Sequence, residues 1–196
     1  MSKTIGFFGG SFDPFHLGHL NFVIEILEKS HLDEIWICPT TLSPFKADIP
    51  PLDVHHRIEM IKLAIAPIAN LKVINTEAQD QGVCYTYNTL MKLKAQFGPL
   101  TLLLSDDLLA SFDKWYKVDE IIKNFPLLVG KREHYPIDKK LIAPLVFKEI
   151  EKNIIPIRLI DVCSSELRVR LKNKLYCNHL LPLKILDYID KNKLYS

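Results

Sequence analysis

Six short apolar runs, each followed by a segment of helical spacing, leave few folds open to these 196 residues. The runs cover 4–8, 34–38, 71–75, 100–104, 125–130 and 154–160. Helical spacing covers 17–27, a segment N-capped by Asp53 and running to Ala66, 85–97, 118–123, 165–172 and 182–191. Near-continuous apolar runs read as strands buried on both faces, and their alternation with helices predicts a parallel sheet. The expected fold is therefore α/β: a Rossmann-like doubly wound parallel sheet with helices on both faces and a C-terminal helical segment. Gly9-Gly10 is expected to end the first strand, and Pro144 to break or kink any helix over 139–152. No repeat, low-complexity tract or linker interrupts the pattern, which predicts a single domain over residues 1–196.

Composition excludes several classes. A net charge of +2 gives no general nucleic-acid field, and there is no basic stripe with interleaved aromatics. No stretch approaches the ~20 apolar residues of a membrane span, and "MSKTIGFFGG" lacks the apolar core of a signal peptide. The four cysteines form no CxxC pair and no zinc-spaced cluster with histidine. They read as free thiols, which suits a cytoplasmic location.

The stretch Gly9–Leu20, GGSFDPFHLGHL, lies where the first run gives way to the first helix. Glycines let the backbone approach a ligand closely, and the following helix aims its N-terminus at the same place. That combination is an anion site. GxGxxG is absent, and no Gly-Lys-Ser/Thr follows, so it is neither a dinucleotide fingerprint nor a Walker A loop. His16 and His19 stand three apart at the helix start, on one face and near its positive end. Gly18 between them leaves room for a large ligand. Such a pair can donate to phosphate oxygens; the alternative is two surface histidines or one capping histidine.

GGSFDPFHLGHL resembles the GxFDPxHxGH signature of the nucleotidylyltransferase superfamily. Val162–Arg168, VCSSELR, looks like the ISSTxIR motif of its adenylyltransferase branch. Three further segments are similar to the nicotinate-nucleotide adenylyltransferase family: CYTYNTL from Cys84, SDDLLASFDKWY from Ser105 and LLPLKILDYIDKNKLY from Leu180. The resemblance spans nearly the whole chain. It implies adenylyl transfer from ATP to nicotinate mononucleotide in NAD biosynthesis, with Mg²⁺ carried by ATP and no metal ligand from protein side chains. By the same resemblance His16, His19, Arg168 and Lys46 are the catalytic group. Gly9, Gly10, Ser11, Phe12, Gly18, Ser164, Ser165 and Asp107 would bind ATP. Thr86, Tyr87, Trp115, Tyr116 and Arg132 would bind the mononucleotide, with Gly10 and Ser11 nearby, Trp115 stacking on the pyridine and main-chain amides meeting the carboxylate. The alternative for Trp115 is a place in the core. Asp13 is expected to shape the loop. His55, His56 and Arg57 are expected on a solvated helix face, and no chemistry is assigned to them.

Five positions depart from the pattern. Ser105 replaces glycine, Phe45 replaces histidine, Cys163 replaces serine, Ser165 replaces threonine and Asn88 replaces aspartate. Other readings are nicotinamide mononucleotide as acceptor, dual specificity, or a catalytically silent nucleotide-binding module. Assembly of the chain with copies of itself is left open.

Overall fold

A computed structural model describes residues 3–42, 44, 50–78, 82–132, 142–151 and 153–196. Six strands are found among them: β1 (Ile5–Gly10), β2 (Glu34–Pro39), β3 (Leu71–Val73), β4 (Leu100–Ser105), β5 (Leu127–Arg132) and β6 (Ile154–Ile157). All pair in parallel, in the order β3-β2-β1-β4-β5-β6. The order reverses between β1 and β4, where Ile5 lies opposite Leu100 and Phe7 opposite Leu102. The expected doubly wound sheet is present. β1 runs on through Gly9-Gly10, which pair with Cys38 and Pro39 and so continue the strand that they were expected to end.

Side chains alternate across each strand with period two, so one strand feeds two cores. Phe8, Ile35, Ile37 and Leu103 join one core with α1 (Leu17–Lys29), α2 (Val54–Ile65), α7 (Ser164–Lys172) and α8 (Leu183–Asn192). Phe7, Trp36, Leu102 and Leu104 join the other with α3 (Thr86–Phe97), α4 (Leu109–Phe112), α5 (Val118–Asn124) and α6 (Pro144–Ile150). Local chemistry sets the ends. Asp53 caps α2 by accepting from the His55 amide at 2.8 Å. Gly98 closes α3 at φ 92°. Pro144 begins α6 at its first position, where a missing N–H costs nothing. Asp106–Leu108 forms a 3-10 turn leading into α4, a pair of short elements that the apolar pattern did not predict.

Candidate active site

The chemistry-bearing motifs gather beyond the C-terminal ends of β1, β4 and β5, where they line two cavities. Beyond β1 the chain turns at Phe12, whose φ of 48° is left-handed. The strained residue is thus a phenylalanine, 3% exposed and packed between Phe8 and Phe15, with Gly9 and Gly10 remaining in the strand. His16 then N-caps α1. Its Nδ1 accepts the His19 amide at 3.3 Å, and the Nδ1 of His19 accepts the His16 amide at 3.3 Å. This is a reciprocal capping box built from two imidazoles, their rings stacked with centroids 3.6 Å apart. A nitrogen that accepts an amide proton carries none of its own. Each ring therefore carries its proton on Nε2, where it can act as a donor. Burial pushes His16 down to about 4, so it is neutral at physiological pH.

These histidines form one wall of a cavity of about 450 Å³. The opposite wall is the start of α7. Ser164 Oγ donates to the Pro14 carbonyl at 3.1 Å, and Arg168 Nη1 donates to the Asp13 carbonyl at 2.8 Å. The α7 N-cap is Cys163, whose side chain makes no capping bond; its Sγ lies 2.8 Å from Ser165 Oγ. On the third side Asp106 binds both the amide and Nε of Arg132, at 3.2 and 2.8 Å, and so ties β4 to β5. Asp107 is exposed at the rim of this cavity. Ser105 sits at φ −83°, an ordinary extended conformation, so serine in place of glycine introduces no backbone strain. Among the described residues, no group of three or more His, Cys, Asp or Glu converges on a point that could hold a metal.

A second cavity of about 250 Å³ lies across β1, lined by Gly9, Gly10, Ser11, Thr40, Tyr85, Thr86, Ser111, Trp115 and Tyr116. Trp115 is half-buried and meets Phe112 edge-on, with centroids 5.1 Å apart. The Tyr85 and Tyr116 rings lie 4.7 Å apart, and Tyr116 is 45% exposed. Tyr85 is also the N-cap of α3 and its side chain makes no capping bond, so the positive end of α3 borders this pocket.

The expected residues divide between the two cavities. His16, Gly18, His19, Asp107, Ser164, Ser165 and Arg168 line the first. Arg132, expected beside the mononucleotide, lines it too. Gly9, expected on the ATP side, and Gly10 and Ser11, expected beside both substrates, line the second with Thr86, Trp115 and Tyr116. Phe12 is buried in the core, and Tyr87 packs beside the second pocket against Tyr116, with Lys117 Nζ 4.7 Å above its ring. Lys46 and Phe45 fall outside the described residues. Gly18 serves close packing within the protein: a Cβ there would meet Val162 at 3.0 Å and the His16 ring at 3.1 Å.

Arg57 corrects an expectation. It is 1% exposed and donates to the carbonyls of Leu52, Ser11 and Thr40 at 2.7, 2.6 and 2.8 Å. An arginine surrounded by carbonyls from three chain segments cannot be recognised in a helix of mixed polarity. Tyr85, Thr40 and Ser111 were also missed. Tyr85 adjoined the noted Thr86, and Ser111 lay inside the SDDLLASFDKWY segment, so both carried a signal.

Nucleotide-binding sheets place ligands beyond the carboxyl ends of their strands where the order reverses. The Cytidylyltransferase-like family profile matches residues 7–170 and defines the class as nucleotidyltransferase. The chain is 34% identical to the nicotinate-nucleotide adenylyltransferase of Bacillus subtilis (strain 168), over 99% of both chains. It is 33% identical to a probable nicotinate-nucleotide adenylyltransferase of Methylacidiphilum infernorum, over 99% of this chain and 93% of the relative. Its fold is similar to the Plasmodium falciparum nicotinic acid mononucleotide adenylyltransferase complexed with NaAD, with a TM-score of 0.78, 24% identity and 98% and 97% of the two chains covered. The chain belongs to the nicotinate-nucleotide adenylyltransferase family.

Proposed function

We infer that the chain transfers the adenylyl group of ATP to nicotinate mononucleotide, giving nicotinate adenine dinucleotide and pyrophosphate in NAD biosynthesis. The observation that carries this is the pair of cavities flanking the end of β1, one lined by two imidazoles, Arg168 and the start of α7, the other by aromatic rings. A dinucleotide product needs both. In the reaction a phosphate oxygen of the mononucleotide bonds to the α-phosphorus of ATP, while the bond from that phosphorus to the β-phosphate oxygen breaks. Pyrophosphate leaves with the electron pair. Such a transfer asks the protein for alignment and charge stabilisation, with no protein nucleophile.

The Nε2–H groups of His16 and His19 supply donors that need no reorientation, since the capping box fixes the rings. Arg168 and the start of α7 face them and would hold the β- and γ-phosphates. Mg²⁺ would enter with ATP as part of the substrate and offset its phosphate charge, without a ligand from protein side chains. Lys46 would add a cation from the 40–50 loop. In the second cavity Trp115 offers a face for the pyridine ring. The start of α3, with Thr86 and Tyr87, would meet the carboxylate through N–H donors. The neutral amide of nicotinamide mononucleotide puts its own N–H₂ there, so the nicotinate form is favoured. Both cavities stand on one sheet, which supports a single catalytic domain over residues 1–196, acting in the cytoplasm.

The test is pyrophosphate release from ATP and Mg²⁺ with the two mononucleotides side by side. A preference of at least tenfold for the nicotinate form in kcat/KM is expected. Comparable rates would keep the chemistry and discard carboxylate capture. No release with either would leave a silent nucleotide-binding module.

A further inference from the structure

The tail after α8 lines neither cavity, yet one of its side chains reaches the loop between them. Tyr195 donates its hydroxyl to Asp13 Oδ1 at 2.6 Å, across 182 positions of sequence. Asp13 is 6% exposed. Its Oδ2 accepts the Leu52 amide at 3.3 Å, and its backbone carbonyl accepts Arg168 Nη1 at 2.8 Å. The same Nη1 lies 3.8 Å from Asp13 Oδ2. An ionised carboxylate only accepts, so the phenol must donate. Burial and the neighbouring Asp13 charge hold that phenol well above its ordinary range, so it keeps its proton.

We propose that Tyr195 is a positioning residue: through Asp13 it fixes the Arg168 guanidinium in the histidine cavity. The proposal rests on the reading that Arg168 meets the phosphates of ATP. The hydroxyl is not needed to hold the tail. The Leu194 amide bonds the Ile189 carbonyl at 3.0 Å, and both Leu194 and the Tyr195 ring pack on the α2–α8 core. Removing only the oxygen therefore leaves the tail docked and takes away the donor. The Asp13 carboxylate then keeps only the Leu52 amide as a close donor, and the loop that presents the Asp13 carbonyl to Arg168 is held by one bond fewer.

The experiment compares wild type, Tyr195→Phe, Arg168→Ala and the double variant. The affinity for a non-hydrolysable ATP analogue with Mg²⁺ is read by calorimetry, KM and kcat by pyrophosphate release, and folding by thermal melting. One hydrogen bond's worth of positioning predicts that Tyr195→Phe weakens analogue binding and raises the KM for ATP roughly two- to tenfold. The KM for the mononucleotide should change less than twofold, and the melt should stay cooperative, its midpoint lower by about 2–5 °C for the lost bond to a buried carboxylate. In the Arg168→Ala background the Tyr195→Phe step should have no further effect on ATP. An undiminished effect there would overturn the proposal, as would equal loss for both substrates. So would a lowered or non-cooperative melt with unchanged kinetics, which would make Tyr195 a tail anchor alone. Analogue binding needs no acceptor, so the two readings fail separately. A wild type that binds the analogue but adenylates no mononucleotide removes the proposed reaction and leaves the Tyr195 link to be read from affinity.

Discussion

His16 does two jobs with one ring: Nδ1 caps α1, and Nε2 is left as the donor toward the cavity. Its burial has a measurable consequence. The folded pKa is about 4 against 6.5 in the unfolded chain. Between those values the unfolded state binds the extra proton, so stability falls as pH falls. The contribution is fully present above pH 6.5, is lost progressively toward pH 4, and amounts to at most about 3 kcal/mol. His16→Asn keeps a capping acceptor and removes the titration. Urea unfolding at pH 7.5, 5.5 and 4.5 should show wild type losing stability faster than the variant as pH drops. Groups remote from this pair titrate alike in both proteins, so parallel curves would mean that His16 is not held neutral by burial. The place of the His16–His19 pair at the start of α1 was legible in the sequence; the cap, read there as the alternative to phosphate donation, is local and closed within one helical turn. The left-handed Phe12 was not legible. Its φ is set by aromatic packing against Phe8, Phe15 and His19, contacts that no turn propensity encodes.

The elements were legible where their signals are local. Apolar runs gave six strands, the Asp53 cap and Gly98 bounded α2 and α3, and the charged or proline-marked ends fell within a few residues of the observed ones. What joins the elements was hidden, and Arg57 is the main instance. From α2 it grips the segment after β1, the segment after β2 and Leu52, just ahead of the α2 cap. Two of those carbonyls belong to Ser11 and Thr40, which line the aromatic cavity. Arg57→Ala would leave three carbonyls without their donor and a void behind them. A loss of roughly 3–5 kcal/mol in denaturant stability is expected, on the scale of truncating one member of a buried charged network. Arg57→Lys should recover only part of it, because an ammonium lacks the planar fork. A change below about 1 kcal/mol for Arg57→Ala would mean that the loops hold their positions without it. The lesson is one of distance. The bonds of Asp13, Arg57 and Tyr195 are not legible in the sequence because their partners lie in remote segments of it.

At the scale of the whole molecule, the reversal of strand order between β1 and β4 builds a site in two halves. To one side, α1 and α7 bring helix N-termini, imidazoles and Arg168 around one cavity. To the other, the starts of α3 and the Trp115 segment surround a smaller, more apolar one. Phe8 faces the first and Gly9 the second, so two neighbouring residues of a single strand separate the halves. Side chains on opposite sides of such a divider should be separable by mutation. Trp115→Ala removes an aromatic platform and is expected to weaken nicotinate mononucleotide binding roughly tenfold or more, with ATP-analogue affinity changed less than about twofold. His19→Ala removes a fixed donor at the reacting phosphate. It is expected to lower kcat on the order of a hundredfold or more, with mononucleotide affinity nearly intact. Calorimetry with each ligand alone and pyrophosphate release with both measure the two effects independently. Equal losses of both ligands in Trp115→Ala would return that residue to the core. A near wild-type rate in His19→Ala would take the histidine pair out of the chemistry and leave it as the cap of α1.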